Sequence, residues 1–363
     1  MQKVIKNKIL KIIVIAVFIF ATVVSAAITG YHFSVKSMGE RPKVDARANN
    51  VILLIGDGMG FNHVEIASYF DKPTMTQIQN SGQVTTLSLT PFPTDSAAAA
   101  TALATGHKAG NGRIAYSGGK KLENLGDIAI ENGKKLGIVT TKSVTDATPA
   151  AFSAHNKRRS NDQEIALEQI RNTDIDVLLG LGREYFDNYA DEINTWDRAY
   201  VTSYEDLSAN EKEKVYGIFD DPIPTEGEFS LEGLTEIALE MLDGEEGFFL
   251  MVEGGKIDNY SHKNDLDNML KEFWDFDRAV AVALAYAMQN PDTTVIVTAD
   301  HETGWLKLPK EWSEENINDR LFKSGNHSFR AVPYFIFGPG EDQIPAKIDN
   351  TDIFYIINQL LFG

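Results

Sequence analysis

Acidic residues and a histidine follow three apolar runs of the chain, at the points where buried strands are predicted to end. Carboxylate oxygens and imidazole nitrogens hold zinc in proteins when cysteine is absent, and this chain has no cysteine. An acid beside glycines after a strand is more often a turn or a helix cap, so no single motif decides the point. Because ligands bind at the carboxyl ends of parallel strands, we expect the set to form one metal-binding region. Its members are Asp57, Glu253, Asp300 and His301.

A second group of candidate ligands lies outside the strand ends. Asp258 and His262 are four residues apart, a spacing that stacks both side chains on one face of a helix. His327 lies in the segment Ser-Gly-Asn-His-Ser, just before another predicted strand. A surface pair is the commoner outcome for an acid and a histidine at this spacing. Together with the strand-end residues, however, the three supply enough donors for two zinc sites and a third site of harder ligands.

A potential nucleophile lies in the segment PTDSAAAATALATG at residues 93–106. Asp95 and Ser96 are predicted to open an alanine-rich helix that Gly106 ends, which places the Ser96 hydroxyl at the positive end of the helix dipole. A helix cap is the simpler interpretation. A helix N-terminus that faces metal ions, however, is also where an alkoxide or a phosphoryl oxygen is best stabilised. The chain has no Gly-x-Ser-x-Gly motif, so activation by a metal is favoured over an ordinary Ser-His-Asp hydrolase.

Hard oxygen ligands and arginines occur together in VTDATPAAFSAHNKRR, which follows a predicted strand. Asp146 and Thr148 offer oxygens suited to Mg²⁺, and Arg158 and Arg159 offer planar guanidinium groups suited to phosphate. A turn followed by an ordinary basic helix start is the alternative for this segment taken alone.

The elements that position these residues alternate between short apolar runs and helical patterns. Leu266, Leu270, Phe273 and Phe276 recur at spacings of three and four, which predicts one long amphipathic helix after Asp265. The alternation predicts an α/β fold, a three-layer sandwich with a central, mostly parallel sheet flanked by helices. The polar, acidic stretch at 184–229 is interpreted as an excursion from the sheet. Strands are predicted at 51–55, 84–89, 137–141, 177–179, 248–252, 295–298 and 332–337, and further helices at 97–104, 162–171, 231–242 and 353–361.

Composition excludes several classes of protein. The 363 residues include 34 Lys and Arg against 52 Asp and Glu, a net charge of −18 without a basic patch, which disfavours recognition of nucleic acid. The absence of cysteine excludes a disulfide framework, iron–sulfur ligation and a thiol nucleophile.

The N-terminus has the pattern of an export signal. Four lysines without an acid precede an uncharged run at 12–30, so residues 1–30 are predicted to be a signal peptide or a membrane anchor. Cleavage after residue 27 and retention as an anchor both stay open, and in either case the protein is expected to be exported, periplasmic or extracellular. Residues 31–49 are predicted to be a linker and 50–363 the catalytic domain.

The chain resembles the alkaline phosphatase family from residue 50 to residue 363. The resemblance rests on six segments in the family's order, namely LLIGDGMG, TDSAAAATALATG, TDATPAAFSAHNKRR, EGGKIDNYSH, TADHETGW and GNHS. It implies that Ser96 is the phosphorylated nucleophile and that Arg159 binds phosphate, with Arg158 merely adjacent. It also implies two zinc ions and one magnesium ion. The implied first zinc site is Asp258, His262 and His327, the second is Asp57, Asp300 and His301, and the magnesium site is Asp57, Thr148 and Glu253, with Asp95 and Asp146 beside the ligands.

The resemblance further implies hydrolysis of phosphate monoesters through a phosphoserine, and a homodimer as in many family members. Asn259 departs from the family, because the best-studied bacterial enzyme has a lysine near phosphate at this position. Sibling activities on phosphodiesters or sulfate esters, and a cofactor-independent mutase, are the nearest alternatives. Ser96 lacks the sequence context that sulfatases use, and Thr148 and Glu253 are ligands that diesterases generally lack. A non-catalytic phosphate-binding surface protein is the alternative from another class.

Overall fold

The computed structural model describes residues 41–220 and 222–363. The predicted export signal at 1–30 lies outside the described residues, as does the part of the predicted linker at 31–40. The compact unit begins at Arg41 rather than at Asn50. Val44 and Ala48 are buried in the core, and the Ala48 N–H donates to the Leu360 carbonyl at 3.0 Å. Residues 41–49 therefore pack against the domain. Within the described ranges, no helix is both long enough and apolar enough to cross a membrane.

Twelve strands form in the described residues, ten of them in one sheet. They are β1 (Asn50–Gly56), β2 (Asn80–Thr85), β3 (Tyr116–Ser117), β4 (Lys120–Lys121), β5 (Lys135–Ser143), β6 (Val177–Leu181), β7 (Arg198–Val201), β8 (Lys214–Phe219), β9 (Phe248–Gly254), β10 (Thr293–Thr298), β11 (Val332–Phe337) and β12 (Lys347–Asp349).

Eleven α-helices connect and cover these strands in the same part of the chain. They are α1 (Phe61–Phe70), α2 (Ser96–Thr105), α3 (Leu125–Glu131), α4 (Ala147–Ala151), α5 (Asp162–Arg171), α6 (Ala190–Ile193), α7 (Tyr204–Ser208), α8 (Leu231–Leu242), α9 (Lys256–His262), α10 (Leu266–Gln289) and α11 (Asn350–Phe362).

The large sheet has the strand order β12-β2-β11-β10-β1-β9-β5-β6-β8-β7. Only β11 is antiparallel to its neighbours among these ten described strands. Every residue of β1 is buried, as expected for a central parallel strand covered on both faces. Helices α8 and α10 pack against each other and onto the sheet, and α11 packs onto the sheet and against α2. The three-layer α/β sandwich predicted from the sequence is confirmed.

Two sequence predictions differ from the structure. The stretch at 184–229 is not an excursion, because β7 and β8 within it extend the sheet in parallel beyond β6. β2 ends at Thr85, although a strand was predicted at 84–89. Its mostly polar residues carry little periodic signal, and pairing with β11 and β12 decides its position.

Candidate active site

The central parallel strands bring three buried carboxylates to one edge of the sheet. β1 pairs with β9 and with β10, so that Ile55 lies opposite both Glu253 and Thr298. Asp57 follows β1 directly and Asp300 follows β10 after one residue, and both side chains are fully buried with Glu253. Buried carboxylates without compensating positive charge are unfavourable, so this edge of the sheet requires a cation.

Asp57, Asp300 and His301 form the first candidate metal cluster. Nε2 of His301 lies 3.2 Å from Oδ2 of Asp300 and 3.6 Å from Oδ1 of Asp57, and neither of these two oxygens has a hydrogen-bond partner. The Gly58 N–H holds the other Asp300 oxygen at 3.0 Å. Burial raises the pKa of Asp300 and lowers that of His301. A neutral imidazole and two free carboxylate oxygens thus face one point, which fits a zinc ion.

Thr303 fixes the orientation of the His301 ring. Its hydroxyl donates to Oδ1 of Asp258 at 2.5 Å, so its oxygen is left to accept from Nδ1 of His301 at 3.2 Å. Nε2 of His301 then carries the lone pair toward the cluster. The sequence analysis did not identify Thr303, whose position in TADHETGW gives no signal of this role.

Asp258, His262 and His327 form the second candidate metal cluster. Nδ1 of His262 donates to the Gly325 carbonyl and Nδ1 of His327 to the Thr94 carbonyl, each at 2.7 Å. Both Nε2 atoms therefore face Asp258 and lie 3.1 Å from each other. A cation must separate these nitrogens. It is either a proton on His262, whose pKa the hydrogen bond to Asp258 raises to about 9, or a metal ion. The donor set fits zinc.

Ser96 is the first residue of α2, as predicted. Asp95 caps the helix by accepting from the Ala98 N–H at 3.0 Å, and Gly106 ends the helix in the left-handed region at φ 67°. The Ser96 side chain is buried, and its Oγ lies 3.2 Å from Nε2 of His301. The structure thus brings the candidate nucleophile to the first metal cluster.

Arg159 contacts Asp95, the residue before Ser96, and also contacts Asp146. Its Nη2 donates to Oδ1 of Asp146 at 2.8 Å, and its Nη1 lies 3.5 Å from Oδ2 of Asp95. Although burial opposes the charge, these two carboxylates raise the pKa of Arg159 above its usual range. Arg158 is exposed, whereas Arg159 is partly buried beside these two carboxylates. Asn259 is exposed on α9.

A lysine that the sequence analysis did not identify lies at the predicted magnesium site. Nζ of Lys142 is 3.0 Å from Oδ2 of Asp57 and 2.9 Å from Oδ2 of Asp146. Burial opposes the charge of Lys142, but the surrounding carboxylates raise its pKa well above the usual value. Burial also raises the pKa of Glu253 to about 8, against the effect of Lys142. Since the ammonium group already occupies the Asp57 oxygen, these residues do not fit a bound Mg²⁺.

Two other atoms of the predicted magnesium site have no hydrogen-bond partner, namely Oγ1 of Thr148 and Oε1 of Glu253. The second Glu253 oxygen accepts a very short hydrogen bond from the Thr140 hydroxyl. His63 has a structural role. It is fully buried and lies within hydrogen-bond distance of the Gly60 N–H and of the Ser261 hydroxyl.

A comparison with known protein families identifies the relationship that this geometry suggests. The family model described as alkaline phosphatase matches residues 48–319. The chain belongs to the alkaline phosphatase family. Family and fold together support hydrolysis of phosphate monoesters by an enzyme of the alkaline phosphatase type. Seven of the eight predicted metal ligands lie within the matched residues, and His327 completes the second cluster from beyond them.

Individual alkaline phosphatases show the extent of the similarity. The chain is 35% identical over 304 residues to alkaline phosphatase 4 of Bacillus subtilis, covering 75% of this chain and 66% of that protein. It is 34% identical over 342 residues to alkaline phosphatase 3 of the same organism, covering 86% of this chain and 73% of the relative. The chain thus spans about two thirds to three quarters of the length of these relatives.

A solved alkaline phosphatase from the Antarctic bacterium TAB5 superposes with a TM-score of 0.77 at 33% identity, over 87% of this chain and 98% of that one. A variant of that enzyme, with a TM-score of 0.75 at 32% identity, has magnesium bound in a site named M3 and covers the same shares.

Proposed function

We propose that the chain hydrolyses phosphate monoesters to an alcohol and inorganic phosphate through a phosphoserine on Ser96. The observation that carries the proposal is the place of the Ser96 hydroxyl, 3.2 Å from Nε2 of His301 at the N-terminus of α2. Arg159 contacts the capping Asp95 at the start of the same helix. A serine between candidate metal ligands and an arginine has what phosphoryl transfer requires, namely a nucleophile and positive charge for the equatorial oxygens.

Two zinc ions are proposed as the resident metals. Asp57, Asp300 and His301 would hold one ion. Asp258, His262 and His327 would hold the other. When bound, zinc supplies Lewis acidity, which lowers the pKa of a coordinated hydroxyl and stabilises a departing alkoxide.

The chain's own residues then carry out a two-step displacement. Oγ of Ser96 gives up its proton to solvent water and attacks phosphorus, and the P–O bond to the alcohol breaks as the serine–phosphorus bond forms. The alcohol oxygen leaves with the bonding electrons and takes up a proton. Water next attacks the phosphoserine in line, which releases inorganic phosphate and restores Ser96. Arg159 binds two nonbridging oxygens through its planar guanidinium throughout.

The proposal also concerns magnesium, export, membrane anchoring and dimerisation. Magnesium has no part in these steps, because Lys142 lies at the site that Thr148 and Glu253 are predicted to form with Asp57. We further propose that the catalytic domain is exported and forms a homodimer. Residues 1–30 either anchor the protein in the membrane or are removed as a signal peptide. The substrate class is small phosphate monoesters, since the described groups recognise the phosphoryl group rather than a particular alcohol.

Release of p-nitrophenol by the full chain tests the proposal. Its phosphate monoester, phosphate diester and sulfate ester are compared with zinc supplied, each with and without chelator. We expect chelator-sensitive turnover that strongly favours the monoester. Preference for the diester or the sulfate would move the activity to a sibling of the same fold, and no turnover with any ester would favour a phosphate-binding protein.

A further inference from the structure

Lys142 reaches the candidate site from the end of a strand that flanks it. β5 pairs with β9 so that Thr140 lies opposite Glu253, and β9 pairs in turn with β1, which leads to Asp57. Lys142 follows Thr140 by two residues and therefore shares its side of the sheet. Neighbouring strands thus place a lysine, a glutamate and an aspartate in one row at the edge of the sheet.

The ammonium group is bound within the protein rather than extended to solvent. The Lys142 side chain is 14% exposed and the Asp57 side chain is fully buried. Nζ contacts Asp57 at 3.0 Å and Asp146 at 2.9 Å. Lysine is rarely buried unless it is paired, and here it meets two carboxylates from different elements. Removing one partner of a buried ion pair leaves the other charge uncompensated, which is strongly destabilising.

The backbone beside the lysine leaves room for its aliphatic stem. A Cβ atom at Gly255 would lie 2.3 Å from Cδ and 2.7 Å from Cγ of Lys142. Only glycine allows the stem to pass so close to the start of α9. The Gly255 N–H also donates to Oγ1 of Thr141, the residue before Lys142, at 2.9 Å. The aliphatic stem of Lys142 therefore packs directly against the backbone of Gly255, which the Thr141 hydroxyl holds.

A divalent ion cannot share this place with the ammonium group. Mg²⁺ requires near-octahedral oxygen ligands at about 2.0–2.1 Å, whereas Oδ2 of Asp57 already accepts from Lys142. A divalent ion and an ammonium group on the same carboxylate oxygen would be in contact with each other and would repel each other strongly in this buried site. We propose that the ammonium group of Lys142 replaces the third metal ion, so that the enzyme works with two zinc ions and a cation built into its own chain. Oγ1 of Thr148 and Oε1 of Glu253 are then left to bind water.

Lys142 acts on the reaction as a positioning residue, through two other side chains. Asp57 is a ligand of the first candidate zinc site, and its second oxygen is held by Lys142. Asp146 holds Arg159, the proposed phosphate-binding group, and contacts Lys142 with its other oxygen. The ammonium group of Lys142 therefore positions Asp57, a candidate metal ligand, and, through Asp146, also positions Arg159, the proposed phosphate ligand.

Metal counting on the full chain tests the inference, which rests on the proposed two-zinc site. The wild type and Lys142→Ala are equilibrated with zinc and magnesium, freed of loosely bound ions and analysed by inductively coupled plasma mass spectrometry. Lys256→Ala is the matched control, because Lys256 lies on the neighbouring α9 and its Nζ donates to the Ile223 carbonyl instead. Activity is measured in parallel, with and without added magnesium.

We expect two zinc and no magnesium in the wild type and in Lys256→Ala. Lys142→Ala should lose activity by about tenfold or more and recover part of it when magnesium binds as a third ion, a rescue that a merely structural lysine would not show. One magnesium ion per wild-type chain would overturn the inference. So would a folded Lys142→Ala that still binds no third ion. If Lys142→Ala does not fold, the wild-type count decides. Absence of zinc from the wild type would instead overturn the proposed two-zinc site on which the inference rests.

Discussion

The hydroxyl oxygen of Ser96 lies 3.2 Å from Nε2 of His301, the nitrogen that also lies 3.2 Å from Oδ2 of Asp300. In a Ser-His-Asp triad the carboxylate contacts the far nitrogen, Nδ1, and holds the ring as a general base. Here Nδ1 contacts the hydroxyl of Thr303 instead. The serine therefore approaches His301 from its metal-binding side, as a metal-activated nucleophile would.

Substitution of His327 by alanine should remove one of the two zinc ions. His327 contributes one nitrogen to the second cluster and is fixed by the Thr94 carbonyl. Since loss even of a residue behind a metal ligand costs about 10–100-fold, we expect loss of the ligand to lower activity by at least about 100-fold. Zinc content and turnover are measured together, with His107→Ala as a control for an exposed histidine. A variant that keeps two zinc ions would contradict the assignment of this cluster.

Arg159 and Arg158 provide a matched pair for the phosphate site. Arg159 contacts Asp146 and Asp95 beside Ser96, whereas Arg158 is exposed. A hydrogen bond to a charged group contributes about 1.5–3 kcal/mol, so Arg159→Ala should weaken inhibition by inorganic phosphate about 10–100-fold. Arg158→Ala should leave the inhibition constant nearly unchanged. Equal effects of the two substitutions would refute the role given to Arg159.

Thr303 connects the two metal clusters, since its hydroxyl contacts Asp258 at 2.5 Å and His301 at 3.2 Å. Thr303→Val keeps the shape of the side chain and removes both contacts. We expect zinc affinity to fall about 10–100-fold, as for other groups that orient metal ligands. Thr298→Val is the control, because this buried threonine of β10 donates to the Pro333 carbonyl away from the clusters. Competition with a chelator measures the affinity, and equal affinities of the two variants would count against the connection.

His155 should make the stability of the fold depend on pH. Burial opposes its charge, but Asp127 and Glu168 outweigh this effect and raise its pKa from 6.5 to about 9. Because the folded-state pKa is the higher one, the stabilisation is complete below pH 6.5 and is lost as the pH rises through about 9. For this partly exposed group we expect about 1–2 kcal/mol.

The free energy of unfolding of the wild type and of His155→Gln is compared from pH 6 to pH 10 by urea denaturation. The difference between the two proteins should shrink as the pH rises. Lys157→Gln, which removes an exposed charge from the same segment, is the control. A difference that stays constant or grows toward pH 10 would show that His155 is not charged in the folded protein.

The sequence predicted elements with strong periodicity almost to the residue. α5 and α8 begin and end where predicted, because their apolar residues recur every three or four positions. β7 and β8 were missed because they are short and lie in a polar stretch, and their place at the edge of the sheet depends on pairing with β6. Local pattern does not encode such long-range pairing.

In the candidate site, too, residues with a local sequence pattern were predicted, and Lys142, whose place depends on long-range pairing, was not. Strand ends identified Asp57 and Asp300, and helical spacing identified Asp258 with His262, because these signals are local. Lys142 was missed because a lysine at the end of a strand ordinarily indicates a solvent-exposed position. Its contact with Asp57 joins residues 85 positions apart in the chain. Only the sheet order, with β9 between β1 and β5, brings the two together.

The central claim is that Ser96 carries the phosphoryl group during turnover. The most direct measurement is incorporation of radioactive phosphate into the zinc-loaded chain, quenched in acid and located by peptide mapping. We predict that label is found on the peptide containing Ser96 in the wild type and is lost in Ser96→Ala, together with nearly all turnover. Undiminished labelling of Ser96→Ala, or turnover by this variant at the wild-type rate, would contradict the account.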